Sequence, residues 1–134
     1  MNTKEAISLK EDLLKTGTLP MFLLNAALIK TSQMHATDIS YHKSPPSHNS
    51  TNGTSFGSRI QGAGINSCAG ENIAVSGQSV LLSVILLYLD IGLPELGHRK
   101  SLLNPGFLET GIGSAAYGKE KNVYFIVQDL SCAQ

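Results

Sequence analysis

The chain has 134 residues, a mass of 14.3 kDa and a hydrophobic fraction of 42%, which predict a single folded domain over residues 1–134 and exclude full disorder. Ten basic side chains balance ten acidic ones, which argues against a nucleic-acid partner and against polybasic attraction to a membrane. The longest apolar run, Val80–Leu89, is too short for a transmembrane helix. The polar start, Met1–Glu5, is unlike a signal peptide, so the protein is either cytoplasmic or exported with a targeting segment absent from this sequence.

The first forty residues predict two helices. Asn2 opens a capping-box pattern ahead of a helix over Lys4–Lys15, and Gly17 is placed to end that helix. Pro20 suits the first turn of a second helix, which apolar residues at helical spacing extend to about Ser40.

A long polar segment and a strongly apolar one occupy the middle of the chain. Residues 41–67 are rich in Ser, Asn, Thr and Gly, and a loop of this length in a compact domain is often functional. A short strand is predicted over Glu71–Val75, followed by a third helix over Ser79–Asp90 with Ser76 or Gly77 as its cap. This helix carries no charge before its last residue, so we expect it to be buried in the core.

The last third of the chain predicts mainly β structure. Pro94–Leu103 fits a short helical turn, and two strands follow over Ile112–Tyr117 and Val123–Leu130. The last strand is largely apolar on both faces, which predicts a position in the middle of a sheet. Helices followed by a small antiparallel sheet with a hairpin indicate an α+β fold.

The histidines and cysteines form no local metal or catalytic motif. His35 lies on the core-facing side of the second predicted helix, where a buried, hydrogen-bonded histidine is expected, and His42 is expected at the surface. Cys68 and Cys132 lack the short spacing of a zinc knuckle. They either form a disulfide in an oxidising compartment or remain two buried thiols, and the sequence leaves both alternatives open.

Five segments, in order over about residues 21–131, carry a resemblance to a known family. The central three contain a Ser-His pair followed by Asn-Gly, a Gly-Glu-Asn triplet and a Gly-His-Arg triplet. With the helix and hairpin segments on either side, the sequence resembles the CAP superfamily (cysteine-rich secretory proteins, antigen 5 and pathogenesis-related 1), also called the SCP domain, in its compact bacterial form. The segments are Leu24–Ile39, Ser47–Arg59, Ala69–Ala74, Gly97–Pro105 and Ile112–Asp129.

The resemblance implies a cleft in which two histidines and two acidic residues face each other. By motif position three of these residues are His48, Glu71 and His98. The family places the fourth, an acid, three residues after a tryptophan; this chain has no tryptophan, and Asp90 falls at that position with Glu95 as the alternative. His48 and His98 are the candidate metal ligands and Glu71 and Asp90 the candidate catalytic acids. If the two histidines share one zinc ion, we expect their Nε2 atoms to lie ~3–4 Å apart.

The resemblance also implies a three-layer α-β-α sandwich and a secreted or surface-exposed protein. The preferred hypothesis is a binding module whose cleft holds a divalent metal such as Zn²⁺, with a host or cell-surface molecule, or a sterol or fatty acid, as partner. The alternative is a metal-dependent hydrolase, peptidase- or esterase-like, that activates water in the same cleft. A surface protein with a vestigial site is a third hypothesis. The family has no agreed enzymatic activity, which favours binding.

Overall fold

The computed structural model describes residues 3–77, 79–118 and 120–133, which form five helices and four strands. The α+β class predicted from the sequence is confirmed. In chain order the elements are α1 (Lys4–Thr16), β1 (Leu23–Leu24), α2 (Ala26–Tyr41), α3 (Phe56–Gly62), β2 (Ala69–Ser76), α4 (Val80–Leu89), α5 (Gly97–Leu102), β3 (Glu109–Ala116) and β4 (Tyr124–Ser131).

Helix α1 lies on the outside of the domain, since none of its side chains is buried. The Thr3 hydroxyl caps it by accepting the Ala6 N–H at 3.2 Å. The predicted cap, Asn2, lies outside the described residues. Gly17 ends the helix as predicted, with a φ of +69° that residues carrying a Cβ seldom adopt.

The predicted start of the second helix near Pro20 is wrong. The Asn25 side chain accepts hydrogen bonds from the N–H groups of Ala27 and Leu28, and α2 begins directly after it. The chain before Asn25 is extended, because Leu23–Leu24 pairs in parallel with β3. Proline fits an extended segment as well as a first helical turn, so its presence alone could not place the helix start.

Two further helix starts differ from the prediction. The polar segment 41–67 is not a continuous loop, because Ser55 accepts a backbone N–H and caps α3 within it. Helix α4 is capped by Ser79, whose hydroxyl also accepts a backbone N–H, rather than by Ser76 or Gly77. Several serines in these segments suit a cap by residue type, and only the path of the backbone selects one.

The four strands form one sheet in the order β1-β3-β4-β2. Strand β4 pairs antiparallel with β3 on one side and with β2 on the other, so it lies inside the sheet as its apolar faces predict. The small antiparallel sheet is therefore confirmed, with the short β1 added in parallel at one edge. The register places Asp129 of β4 directly opposite Glu71 on β2 and Gly111 on β3.

Helix α2 packs closely on one face of this sheet. A Cβ at Gly111 would lie 2.1 Å from the backbone of α2, and a Cβ at Gly113 would lie 2.3 Å from it, so neither position admits a larger residue. The core between α2 and the sheet consists of apolar side chains that are at most 1% exposed. Its buried members are Ala36, Ile39, Phe125 and Val127.

Helices α4 and α5 lie on the opposite face, which completes the three-layer α-β-α arrangement that the family resemblance implies. Gly70 alternates with Glu71 along β2 and therefore points to the other face of the sheet. There it lies against the side chains of Ser101 on α5 and of Phe107. The two acids Glu71 and Asp129 thus lie on the α2 side of the sheet.

The prediction that the apolar helix α4 is buried in the core is wrong. Only Ser83 and Leu87 are buried, while Val80 and Leu81 are 64% and 70% exposed. A helix that is apolar all round is buried only if neighbours surround it, and α4 contacts mainly β2, α5 and α1. It therefore presents an uncharged apolar surface to solvent. Within the described residues no helix is long and apolar enough to cross a membrane.

Cys68 and Cys132 form a disulfide, one of the two states that the sequence leaves open. The bond joins the residue before β2 to the residue after β4 across a separation of 64 positions. The Cys132 N–H also donates to the Cys68 carbonyl at 2.8 Å, which extends the pairing of the two strands. With both sulfurs bonded, neither cysteine is available as a thiolate nucleophile.

Candidate functional site

Two of the four candidate site residues, His48 and Glu71, contact each other and form a first histidine–acid pair. His48 lies in the loop between α2 and α3, Glu71 lies near the start of β2, and the His48 Nδ1 and Glu71 Oε1 atoms are 2.9 Å apart. The Glu71 side chain is 1% exposed, whereas the His48 side chain is 57% exposed. The carboxylate therefore holds the imidazole from inside the protein and leaves the rest of the ring open to solvent.

Arg59 of α3 binds both members of this pair. Its Nη2 donates to Glu71 Oε2 at 2.5 Å, and its Nη1 donates to the His48 carbonyl oxygen at 2.8 Å. Burial alone raises the pKa of the Glu71 carboxyl, but the hydrogen bond from His48 and the charge of Arg59 outweigh it, so the pKa lies below its usual range. Glu71 is therefore an anion at neutral pH.

His35 holds the loop that carries His48. The residue is 1% exposed, and its Nε2 donates to the Ser47 carbonyl oxygen at 2.8 Å. Burial lowers the pKa of His35, so its imidazole is neutral at pH 7. The expected buried, hydrogen-bonded histidine is confirmed, and it acts on the residue that precedes His48.

A further buried carboxyl, Asp129, completes the interior of this site and is absent from the predicted set. It lies on β4 across from Glu71 and is fully buried. Burial, together with the charge of Glu71, raises the pKa of Asp129 to about 8. A signal was present in the sequence: Asp129 follows Phe125 and Val127 at two-residue spacing, which puts an acidic residue on the apolar face of β4.

His98 and Asp90 form a second histidine–acid pair. The His98 Nδ1 and Asp90 Oδ1 atoms are 2.5 Å apart, and the Asp90 side chain is 1% exposed. The other oxygen, Oδ2, accepts the backbone N–H of Arg99 at 3.1 Å. Of the two alternatives for the fourth position, Asp90 lies against His98, whereas Glu95 is exposed.

The turn between α4 and α5 produces this contact. Asp90 ends α4 with a φ of +50°, and Leu96 precedes α5 with a φ of +52°, both in the left-handed region. Aspartate adopts this conformation more readily than leucine, whose larger side chain makes it strained. The turn brings the acid at the end of one helix to the histidine at the start of the next, eight positions later.

Arg99 connects the second pair to the N-terminal helix. The residue is 1% exposed, and its Nη1 donates to Asp12 Oδ2 at 3.0 Å and to Ser8 Oγ at 2.6 Å on α1. Its Nε and Nη2 donate to the carbonyls of Tyr88 and Leu89 at the end of α4. One guanidinium therefore links α1, α4 and α5 directly behind His98.

A third histidine–acid contact lies outside the predicted site. His42 Nδ1 is 3.2 Å from Asp38 Oδ1, and Thr51 also donates to this carboxylate. The His42 side chain is 53% exposed, as expected for a surface residue. Because His42 directly follows α2 and lies four positions after Asp38, their contact follows from local geometry alone.

The two histidine–acid pairs share one chemical arrangement. In each, a buried carboxylate contacts Nδ1, which orients the imidazole and directs Nε2 away from that carboxylate. Within residues 3–77, 79–118 and 120–133, no hydrogen bond is found to the Nε2 atom of His48 or of His98. A neutral imidazole held in this way can bind a metal ion or accept a proton through Nε2.

The donor types fit zinc, but the described part of the chain does not assemble a complete zinc site. In it, no three His, Cys, Asp or Glu side chains are grouped so as to hold one ion. The predicted ligands His48 and His98 would supply two nitrogens, whereas catalytic zinc sites usually have three protein ligands and structural sites four. The expected separation of their Nε2 atoms stays a prediction.

The chain belongs to the CAP family. Residues 17–130, most of the sequence, match this family, which is described as the cysteine-rich secretory protein family. The resemblance drawn from five short segments is therefore confirmed. No curated protein sequence matches the chain significantly.

Solved structures with a similar fold come from several bacteria. An extracellular SCP-domain protein of Bacillus anthracis str. Ames is 25% identical with a TM-score of 0.64, over 86% of this chain and 35% of that one. An outer surface protein of Borrelia burgdorferi is 21% identical with a TM-score of 0.68, and the match covers 100% of this chain and 97% of that protein. A cysteine-rich secretory protein of Staphylococcus aureus is 15% identical with a TM-score of 0.56, and the match covers 95% of this chain and 38% of that protein. The chain therefore spans about a third of the length of the first and third proteins.

Proposed function

We propose that the chain is an extracellular binding module in which His48 and His98 line one cleft that receives a divalent metal ion. The observation that carries the proposal is that Glu71 and Asp90 each engage a histidine through Nδ1, so both Nε2 lone pairs remain for a ligand. The disulfide and the extracellular origin of the similar Bacillus anthracis protein support export.

An ion held in this way would be exchangeable and accessible. Two imidazole nitrogens leave the other coordination positions to water or to oxygen atoms of a bound partner. A host or cell-surface molecule with a carboxylate or phosphate group has the chemistry to fill them. We therefore propose that the ion bridges the module to its partner.

Zinc titration by calorimetry at pH 7 tests the site. We expect one ion per chain in the wild type and an affinity about tenfold lower or worse in His48→Ala and in His98→Ala, because each loses a ligand. The control is His42→Ala, which removes an imidazole about as exposed as that of His48 and likewise in contact with a carboxylate. Unchanged affinity in either histidine variant, or an equal loss in the control, contradicts the proposal.

The metal-dependent hydrolase remains the alternative function. In the described ranges no serine, threonine or cysteine contacts the Nε2 atom of His48 or His98, so a reaction would need an activated water molecule. Glu71 and Asp90 would then act as the cleft acids. Turnover of a peptide or ester library with zinc present, lost in both histidine variants, favours this alternative. No turnover under these conditions leaves the binding module.

A sterol or fatty-acid ligand also stays a prediction, and the exposed helix α4 is the surface that supports it. A groove of about 310 Å³ runs between the start of α4 and the sheet, and Val80, Tyr124 and Ile126 contribute its apolar lining. Apolar side chains around a concave surface are typical of lipid sites. Titration with a fluorescent fatty acid tests this prediction. Absence of saturable binding would reject a fatty-acid ligand.

A further inference from the structure

We infer that Asp129 is a positioning residue that keeps its proton in the folded protein and donates a hydrogen bond through it to Glu71, which stays ionised and fixed beneath His48. The inference rests on the proposed function in one respect: the proposed function supplies the ligand that His48 binds. The proton on Asp129 itself is argued from burial and from the neighbours of the carboxyl group.

The geometry around Asp129 is unsuited to an anion. The residue is fully buried, and within the described residues neither carboxyl oxygen has a hydrogen-bond donor. Its direct neighbours in the sheet are Glu71 on β2 and Gly111 on β3, and neither side chain can donate when Glu71 is ionised. A buried carboxylate without donors or a cation of its own is strongly unfavourable, so the group takes up a proton instead.

The balance of charge also requires that one of the two carboxyl groups, Asp129 or Glu71, carries a proton. The charged groups that act on Asp129 are Glu71 on β2 and Arg59 on α3, and Glu71 also interacts with His48 in the loop before α3 and with His35 on α2. His35 is buried and neutral, so Arg59 is the one permanent cation among them. Arg59 binds Glu71 directly, which leaves Asp129 as the carboxyl that is protonated.

The retained proton supports the state of His48 that can bind a ligand. Ionised Glu71 accepts from Arg59 through one oxygen and from His48 through the other, and the Asp129 O–H adds a third donor. An anionic Glu71 keeps the His48 proton on Nδ1, which leaves the lone pair on Nε2. Asp129 thus acts on the ligand through Glu71 and His48, without touching it.

The pH dependence of unfolding tests the proton. The pKa of Asp129 is raised from 3.8 to about 8 in the folded protein, so its contribution to stability is complete below about pH 4 and is lost as the pH rises to 8. Asp129→Asn retains a donor for Glu71 but does not titrate. Between pH 5 and 7.5, we expect the unfolding equilibrium constant of the wild type to rise about tenfold per pH unit relative to that of the variant, as measured by urea denaturation. Parallel profiles would overturn the inference.

A nuclear magnetic resonance measurement on the wild type keeps the inference testable if Asp129→Asn does not fold. In the wild type, the ¹³C shift of the Asp129 carboxyl should titrate with a midpoint near 8, and a midpoint near 4 overturns the proposal. In folded variants, ¹⁵N shifts should report the Nδ1–H tautomer of His48 in Asp129→Asn and a tautomer mixture in Asp129→Val, which lacks a donor. Absence of zinc binding together with a midpoint near 8 rejects the proposed metal site and leaves the role of Asp129 intact.

Discussion

Glu71 and Asp90 each orient a histidine, and each is held by a different arginine. Each carboxylate contacts an imidazole Nδ1 with one oxygen. The second oxygen of Glu71 binds the Arg59 guanidinium, whereas the second oxygen of Asp90 accepts the backbone N–H of Arg99. Every oxygen of the two buried acids therefore has a donor, which is the condition for ionised carboxylates to orient a ligand in the interior.

The variant Asp90→Asn tests whether this orientation matters to His98. Asparagine tolerates the left-handed backbone at this position and can still accept the Arg99 N–H, so the free energy of unfolding should change by less than about 1 kcal/mol. The carboxylate that orients His98 is lost, and zinc affinity should fall about 10–100-fold by calorimetry. Glu95→Gln, which alters the exposed alternative acid, is the control. Equal affinities for the wild type and Asp90→Asn would show that Asp90 does not support the site.

At the scale of elements, helix α1 is attached by polar contacts rather than by a buried face. None of the side chains of α1 is buried, and Arg99 binds two of them, Ser8 and Asp12. The same guanidinium satisfies two carbonyls at the end of α4, where helical carbonyls lack partners within the helix. The attachment of α1 and the shape of the turn that carries His98 therefore depend on one residue.

The variant Arg99→Met should destabilise the attachment of α1 before it affects the rest of the domain. Methionine fills part of the space but donates no hydrogen bond, so several buried contacts are lost and the free energy of unfolding should fall by about 2–4 kcal/mol. Amide hydrogen exchange should accelerate in α1 much more than in the central strand β4. Lys100→Met, which changes an exposed neighbour, is the control. Unaltered protection in α1 would mean that other contacts hold the helix.

Helices and strands differ in how much of their environment the sequence reveals. The apolar residues on both faces of the last strand predicted a central position, and β4 is paired on both sides. The uniformly apolar α4 was expected in the core by the same reasoning, yet Val80 and Leu81 are exposed. Strand pairing is set by hydrogen bonds that every central strand must make, whereas the covering of a helix depends on how many neighbours the chain has to place around it.

At the scale of the whole molecule, the disulfide crosslinks two segments that lie far apart in the sequence. Cys68 and Cys132 join the start of β2 to the end of β4, and the segment between them contains every strand except β1. A crosslink that closes a loop this long mainly restricts the unfolded chain. It also adds a covalent bond beside the site, because Glu71 follows Cys68 by three positions.

The double variant Cys68→Ser/Cys132→Ser should be less stable by about 4 kcal/mol, the chain-entropy value for a loop of this length. Urea denaturation of the oxidised wild type and of the variant measures the difference. Reduced wild type should match the variant, which serves as the control for the serine substitutions. Equal stability of the oxidised and reduced wild type would contradict a structural role of the bond.

The sequence by itself determined the fold class and the family, and it named His48, Glu71 and His98 as candidate site residues, because these follow from local patterns and from short motifs in a set order. It also indicated the buried histidine on α2 and the central strand. It did not determine the cap of α4, the burial of α4, the state of the cysteines, the choice of Asp90 over Glu95, or the presence of Asp129 beside Glu71. Those depend on which segments distant in the chain become neighbours in space. The pKa of a carboxyl and the exposure of a helix are properties of that neighbourhood, so only the tertiary structure decided them.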